Sequence, residues 1–130
     1  MQTKAALELN DVNAILDAAQ TEAEAQGWAV TIAVADDGGH LLGLRRMDGA
    51  APFSAGVATE KARNAAIGRK ETQVFEEMIN NGRTAFVTAP MTALLSGGVP
   101  VIHDGHVIGS VGVSGQLMSG PLGPLLRTQH

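Results

Sequence analysis

Hydrophobic residues recur at helical spacing near the N-terminus of the chain. Between residues 11 and 26 they repeat every three or four positions, which predicts an amphipathic helix with one apolar face. The apolar positions are Val12, Ile15, Leu16, Ala19 and Ala23. Asn10 is a suitable cap for the start of this helix, and Gly27 is a suitable residue to end it.

From residue 28 the helical spacing gives way to a strand pattern, in which larger and smaller side chains alternate. The stretch from Trp28 to Asp36 places apolar side chains on both faces of a strand, so we expect both faces to be covered. One face carries Val30, Ile32 and Val34, and the other carries Thr31, Ala33 and Ala35. Asp37-Gly38-Gly39 is a turn signal, and residues 41 to 47 return as a second strand, which completes a hairpin.

Alanines mark a second helical stretch from Ser54 to Lys70. Small side chains recur along one face there, and such a smooth face lets a helix approach a sheet closely. The positions are Ala55, Ala58, Ala62, Ala65 and Ala66. Ser54 is a candidate cap for this helix, and Thr72 is a candidate cap for a third helix that closes near Gly82.

Glycines interrupt a strand pattern between residues 97 and 115. Val99 to His103 and His106 to Ser114 predict a second hairpin, turned at Asp104-Gly105. One face of its second strand carries Ile108, Ser110, Gly112 and Ser114, which are mostly smaller than the residues of a core strand. Glycine weakens a strand unless another backbone or a ligand comes close. The pattern favours a helix packed flat on this face, and a planar or extended ligand is the alternative.

The order of these elements predicts the fold class. A helix, a hairpin, further helices and a second hairpin favour an α+β fold, in which a central antiparallel sheet of two hairpins is flanked by helices. The length of 130 residues is that of a single domain, and we expect one domain over residues 1–130.

Composition narrows the chemistry open to the chain. There is no cysteine, which excludes disulfides, a thiolate nucleophile and cysteine-bound metal or haem. A formal net charge of -4 without a basic run argues against nucleic acid or an acidic membrane surface as a partner. No apolar run has the length of a signal peptide or of a membrane span, so we expect a cytoplasmic protein.

Several motifs occur together, in one order, between residues 10 and 115. They are Val30 to Leu42, Arg46 to Ala50, Ser54, Ala58, Lys61-Ala62, Ala65-Ala66, Gly97 to Val101 and Ile108 to Gly115. In this combination the chain resembles the haem-binding GlcG/HbpS-like proteins, a family that also includes the C-terminal domain of PduO.

The resemblance implies an α+β subunit that assembles into a homo-oligomer, often an octamer. It also implies haem or a related tetrapyrrole as ligand, since some members bind haem and some degrade it or bind iron. This chain departs from the family pattern at two points. Residues 116–130 form an atypical extension rich in glycine and proline, and the Glu-x-x-Glu arrangement associated with iron is replaced by the adjacent pair Glu76-Glu77.

Arg46, Asp48 and Lys61 are candidates for binding or catalysis. Arg46 can hold a carboxylate or a haem propionate through two parallel hydrogen bonds. Lys61 matches the family's lysine, and if buried it can act as a base or form an imine, with Asp48 as a second proton-transfer group. An Arg46–Asp48 or Asp48–Lys61 ion pair that only fixes the loop is the interpretation favoured on general grounds.

Histidines supply two further candidate sites, a metal site and an axial haem ligand. His103 and His106 flank a two-residue turn, and in a tight hairpin they would face each other and share a divalent metal ion. A surface hairpin with polar ends explains them equally well, and their spacing offers no third ligand. His40, beside the first turn, is a candidate axial ligand of haem, although an exposed hairpin residue is the simpler interpretation.

The first functional hypothesis is a ligand cleft between the glycine-rich strand and the helix that begins near Ser54. Haem or a related tetrapyrrole is the expected ligand, with Arg46 and Lys61 holding its carboxylates. The other expected lining residues are His40, Ser54, Thr92, Gly97, Gly98, Gly112, Ser114 and Gly115. Two alternatives stay open: an enzyme of organic-acid or aromatic catabolism that uses Arg46, Lys61 and Asp48 in the same cleft, and a structural accessory subunit without activity.

Overall fold

The helices and strands alternate much as their sequence patterns predict. The computed structural model describes residues 1–82 and 97–115. Its elements are α1 (Leu9–Gln26), β1 (Val30–Asp36), β2 (Leu41–Arg46), α2 (Phe53–Gly68), α3 (Thr72–Asn80), β3 (Gly98–His103) and β4 (His106–Gly115). The sequence of residues 84 to 96, which contains Pro90, predicts a short helix or a loop; this segment and the extension 116–130 lie outside the described residues.

The four strands form one antiparallel sheet in the order β2-β1-β4-β3. Each hairpin supplies one half of the sheet, and β1 pairs with β4 along its whole length, from Val30 opposite Gly115 to Asp36 opposite Gly109. The expected α+β fold, with a central sheet of two hairpins flanked by helices, is confirmed. β2 and β3 are the edge strands of the sheet. Among the described residues, no helix has the length and apolar character needed to cross a membrane.

One face of the sheet is covered by α1. The large apolar side chains of β1 and β4 meet those of α1 in the main core, which includes Leu16, Ile32 and Val113. Gly27 ends α1 in the left-handed conformation, with φ of 74°, as the sequence indicates. The helix begins at Leu9, and its N-cap is Glu8, whose N–H is accepted by the Asp11 carboxylate at 2.8 Å. Asn10 is therefore not the cap, because it already lies inside the helix.

The other face is covered by α2, at very short range. A Cβ added at Gly112 would overlap the carbonyl oxygen of Ala58 and would lie 2.6 Å from the backbone nitrogen of Ala62. Ser110 donates its hydroxyl hydrogen to the carbonyl of Ala62. The small face of β4 is therefore occupied by a helix, which confirms the interpretation that the sequence favours.

Ile108 departs from the expected alternation on β4. The pairing of β3 with β4 shifts between Val101 and Ile102, so that Val101 opposes Gly109 and Ile102 opposes Val107. Ile108 is the extra residue of this bulge and packs in the main core on the α1 side. The expectation that Ile108 shares a face with Ser110, Gly112 and Ser114 is wrong, because the bulge resets the alternation.

The start of α2 also differs from the sequence expectation. Phe53 is its first residue and Pro52 occupies the N-cap position, so Ser54 is not the cap. The Ser54 hydroxyl instead donates to the carbonyl of Ala51 at 2.6 Å. Thr72 likewise directs its hydroxyl away from its own helix, since it accepts the N–H of Gly98 at 2.9 Å. This bond ties α3 to the first residue of β3.

Candidate functional site

The edge strand β2 presents apolar side chains on the molecular surface. Leu41, Leu42 and Leu44 are 49%, 38% and 38% exposed. His40 directly precedes this strand, and Arg46 is its last residue. We call the exposed sheet edge from His40 to Arg46 the β2 surface; the pairing with β1 shifts between Val34 and Ala35, and Leu41 and Leu44 stand opposite Ala35 and Ala33 on the α2 side. At about 3.4 Å per residue, its two polar ends stand roughly 20 Å apart along the strand.

His40 is oriented by a carboxylate at the first turn. Its Nδ1 lies 3.2 Å from Oδ1 of Asp36, and the same oxygen accepts the N–H groups of Gly38 and His40 at 2.9 Å each. When Nδ1 carries the proton, Nε2 is left with its lone pair directed away from Asp36, and the side chain is 82% exposed. Metal-bound histidines commonly have this carboxylate partner on the second ring nitrogen. The partnership was not predicted, although Asp36 and His40 flank a short turn.

Arg46 is exposed and partly fixed by its own loop. Its Nε donates to the carbonyl of Ala50 at 3.2 Å. Within the part of the chain that the structure describes, neither Arg46 with Asp48 nor Asp48 with Lys61 forms an ion pair. The ion-pair interpretation is therefore wrong: Asp48 is exposed in the turn after β2, whereas Lys61 is fully buried elsewhere.

Lys61 is a residue of α2, and its side chain is buried against the strands β3 and β4. Its Nζ donates to the carbonyl of Val113 at 3.1 Å. Burial lowers the pKa of this amine from 10.5 to about 8, and the negative charge of Glu76 on α3 partly opposes the lowering. The buried, pKa-lowered lysine considered from the sequence is thus present. Lys61 packs against β4, which β1 separates from β2 in the sheet.

Three hydroxyls form a row at the same end of the sheet. Thr31 stands opposite Ser114 in the β1–β4 ladder, and its hydroxyl lies 2.7 Å from that of Ser54. Since Ser54 donates to Ala51, Thr31 is the donor in the bond between the two hydroxyls. Ser114 is only 1% exposed, and its Oγ has no hydrogen-bond partner among the described residues. A buried hydroxyl without a partner is unusual and calls for an explanation.

The glycines expected to line a ligand cleft instead allow close packing. Besides the overlap at Gly112, a Cβ at Gly98 would overlap the carbonyl oxygen of Lys61, and one at Gly115 would lie 2.5 Å from the carbonyl oxygen of Ala29. Gly97 has φ of 117° and its missing Cβ would lie 2.7 Å from the carbonyl oxygen of Val113. Among the described residues, the space between β4 and α2 is therefore closed over Gly112 and leaves no cleft for haem. Thr92 lies outside the described residues.

His103 and His106 face each other at the tip of the second hairpin, as expected. Nε2 of His103 lies 3.3 Å from a carboxylate oxygen of Asp104, and both side chains are exposed. In the described ranges, no group of three or more histidine, aspartate or glutamate side chains is arranged to hold a metal ion. A metal site formed by His103 and His106 therefore stays a prediction, with these two side chains as its ligands.

The candidate residues thus fall into separate places. Arg46, Asp48 and Lys61 do not share one cleft, because Lys61 is inside the molecule and the other two are on its surface. The β2 surface carries a candidate axial ligand, apolar contacts and a cation for carboxylates. The region around Lys61 and Ser114 carries a buried amine and a buried hydroxyl. Sequence reasoning missed the exposure of the leucines, because an alternating pattern does not tell an edge strand from a covered one.

Comparison with known proteins gives consistent matches. Residues 7–119 match the family model described as haem degrading protein HbpS-like. Protein GlcG from Escherichia coli (strain K12) is 60% identical over 114 residues, which cover 88% of this chain and 85% of that protein.

Solved structures agree on the fold. A double mutant of HbpS from Streptomyces reticuli superposes with a TM-score of 0.88 at 29% identity, covering 99% of this chain and 88% of that one. The PduOC chain of a PduOC–haem complex gives a TM-score of 0.83 at 22% identity, covering 96% of this chain and 93% of that one.

Proposed function

The chain belongs to the HbpS-like family, and on that basis we propose that it binds haem or a related tetrapyrrole on the β2 surface. The family's role is related to haem, and a structural relative has been crystallised with haem. The observation that carries the proposal is the exposure of three leucines along the edge strand β2, which His40 precedes and Arg46 ends.

The residues present fit what haem requires. The porphyrin needs apolar contact, which Leu41, Leu42 and Leu44 supply over the length of β2. Its propionates need a cation, and the guanidinium of Arg46 presents a planar fork of donors suited to a carboxylate. Its iron takes an imidazole nitrogen as axial ligand, and His40 offers Nε2 while Asp36 holds Nδ1.

Each residue has a separate task in this proposal. Asp36 selects the tautomer of His40 and directs the ring, while the carbonyl of Ala50 holds Nε of Arg46 and leaves the outer guanidinium nitrogens for a propionate. Lys61 is not assigned to a propionate, because it is 0% exposed. Bound haem would supply an iron centre, and in a degrading member of the family haem itself is the substrate.

We also propose that the chain assembles with copies of itself, as the family resemblance implies. Exposed leucines on an edge strand suit a subunit contact as well as a ligand, so the native mass has to be followed in every binding experiment. The enzyme hypothesis that joins Arg46, Asp48 and Lys61 in one cleft loses its support, since the three groups lie apart.

Titration of the purified apo-protein with haem tests the proposal. We expect a saturable shift of the Soret band, and Arg46→Ala should weaken the affinity by about tenfold, the usual effect of losing a charge-assisted hydrogen bond of about 1.5 kcal/mol. Absorbance at increasing haem concentration measures both, with native mass determined alongside.

Arg63→Ala is the matched control. Arg63 lies on α2, where its stem packs beside Gly39, and its side chain is 40% exposed with the guanidinium 3.7 Å from Glu60. Its replacement should leave the titration unchanged. A flat titration with the native mass intact, or equal weakening by both arginine substitutions, would contradict binding on the β2 surface and would favour a structural accessory subunit.

A further inference from the structure

We propose that His103 and His106, at the tip of the second hairpin, together bind a divalent transition-metal ion of the type of Cu²⁺ or Zn²⁺. This site belongs to the hairpin of β3 and β4, whereas the β2 surface lies at the opposite edge of the sheet, and its occupation does not depend on haem. Three features of the tip support the site: a turn that places two imidazoles opposite each other, a carboxylate beside one of them, and a cavity that both line.

The turn between β3 and β4 brings the two imidazoles together. His103 ends β3, His106 begins β4, and the two are partners in the ladder. Asp104 and Gly105 between them both have the left-handed conformation, with φ of 49° and 77°, as in the tightest hairpin turns. Directly opposite residues hold their Cβ atoms about 5 Å apart on one face of the sheet. Two nitrogens on one ion lie about 3 Å apart when each bond is about 2.0–2.1 Å, so rotation of the two side chains is enough to reach a shared ion.

A carboxylate lies beside one of the two rings. Nε2 of His103 is 3.3 Å from Oδ2 of Asp104. The negative charge there favours a proton on Nε2 and leaves the lone pair on Nδ1 for a metal ion. Histidines that bind metal commonly have a carboxylate on their second ring nitrogen. Asp104 is thus a positioning residue, and the ion itself is bound by the two imidazoles.

The cavity at the tip gives an ion room. It has a volume of about 430 Å³, and the N-terminal segment forms its other wall. Its lining consists of Thr3, Lys4, Ala5, His103, Asp104 and His106. The side chain of His103 is 58% exposed, so an ion can enter from solution and keep water on its remaining coordination positions.

The charges around the cavity suit a cation. Lys4 brings a positive charge to the lining, but its Nζ lies 2.5 Å from Oδ2 of Asp37 in the first turn. This hydrogen bond from Lys4 holds the pKa of Asp37 below its usual value, so the charge of the lysine is balanced by a carboxylate. Asp104 adds a negative charge next to the imidazoles. Repulsion by Lys4 is therefore offset, and a divalent cation is favoured over an anion.

The type of ligand atom selects the metal. Imidazole nitrogen suits Zn²⁺, Cu²⁺ and Ni²⁺, whereas Mg²⁺ and Ca²⁺ take oxygen ligands. Cu²⁺ has the highest affinity in the series of divalent first-row ions, which makes it the most sensitive probe. In the part of the chain that the structure describes, two side chains supply the ligands, so we expect an ion that a chelator removes.

Titration of untagged, metal-free protein with Cu²⁺, followed by electron paramagnetic resonance, tests the proposal. We expect one Cu²⁺ per chain with two imidazole nitrogens as ligands, displaced by Zn²⁺ but not by Mg²⁺. His106→Gln should leave one nitrogen ligand and lower the affinity. Asp104→Asn should lower the affinity by about tenfold, the lower end of the usual effect of losing a partner behind a metal-bound histidine. Asparagine keeps the turn, because it tolerates the left-handed conformation.

His40→Gln is the matched control. His40 is an exposed histidine with a carboxylate partner at the other hairpin, and its replacement should leave the copper affinity and the number of nitrogen ligands unchanged. Undiminished copper binding in the double variant His103→Gln/His106→Gln would overturn the proposal. Wild type without saturable binding, or with copper displaced equally by Zn²⁺ and Mg²⁺, would overturn it as well. Circular dichroism checks that the variants fold, and the wild-type titration decides the main point even if one of them does not.

Discussion

Gly112→Ala is expected to destabilise the folded chain by about 3 kcal/mol or more, the upper range for adding a carbon to a packed interior. The added Cβ would overlap the carbonyl oxygen of Ala58 and lie 2.6 Å from the nitrogen of Ala62. Both atoms belong to the backbone of α2, so no side chain can rotate away, and the helix as a whole would have to move off the sheet. Urea unfolding followed by circular dichroism measures the loss.

Gly56→Ala is the matched control for this substitution. Gly56 lies in the same helix, is exposed, and has nothing within 4 Å of its missing Cβ. It should stabilise the protein by roughly 0.5–1 kcal/mol, because alanine restricts the unfolded chain and favours a helix. If both alanine variants have the stability of wild type, the close contact between β4 and α2 is incorrect. A Gly112→Ala variant that keeps its stability but loses ligand binding would instead favour a ligand over Gly112.

Lys61→Met is expected to abolish a rise of stability with pH. In wild type, burial lowers the pKa of Lys61 from 10.5 to about 8. Below pH 8 the amine is protonated in the folded and the unfolded chain, and the cost of burying the charge acts in full. Between pH 8 and 10.5 the folded chain has released the proton and the unfolded chain has not, so stability rises with pH. At about 1.4 kcal/mol per pKa unit, the gain approaches about 3 kcal/mol.

The difference between the two unfolding free energies isolates this effect. Urea unfolding of wild type and Lys61→Met at several pH values from 7 to 10.5 cancels the titration of all other groups. The free energy of unfolding of wild type should rise relative to that of Lys61→Met as the pH rises. Parallel curves over this range would mean that Lys61 titrates alike in the folded and unfolded chains and is therefore not buried as described.

The fold was predictable where the pattern of side chains reports packing directly. The alternation from Val30 to Asp36 showed that both faces of β1 are covered, and the glycine at position 112 indicated a close approach by another element. Two local features were not predictable. The bulge at Ile108 depends on how β3 pairs with β4, and the choice of Glu8 over Asn10 as the cap depends on the carboxylate of Asp11.

The candidate site was predicted less well, because it depends on contacts between distant segments. Arg46, His40 and Lys61 were identified by residue type, but a single cleft for Arg46 and Lys61 was assumed without knowing the strand order. The order β2-β1-β4-β3 places β1 between the strand that ends at Arg46 and β4, against which Lys61 packs. The exposure of the leucines on β2 follows from its position at the sheet edge, which no local pattern encodes.

The absorption spectrum of ferric haem bound to wild type and to His40→Gly tests directly whether His40 binds the iron. We predict that the wild-type complex has the spectrum of imidazole-bound iron, that His40→Gly loses it, and that added imidazole restores it while His103→Gly behaves as wild type. His103 is an exposed histidine at the other hairpin. If wild type and His40→Gly give the same spectrum, with or without imidazole, haem is not bound on the β2 surface through His40.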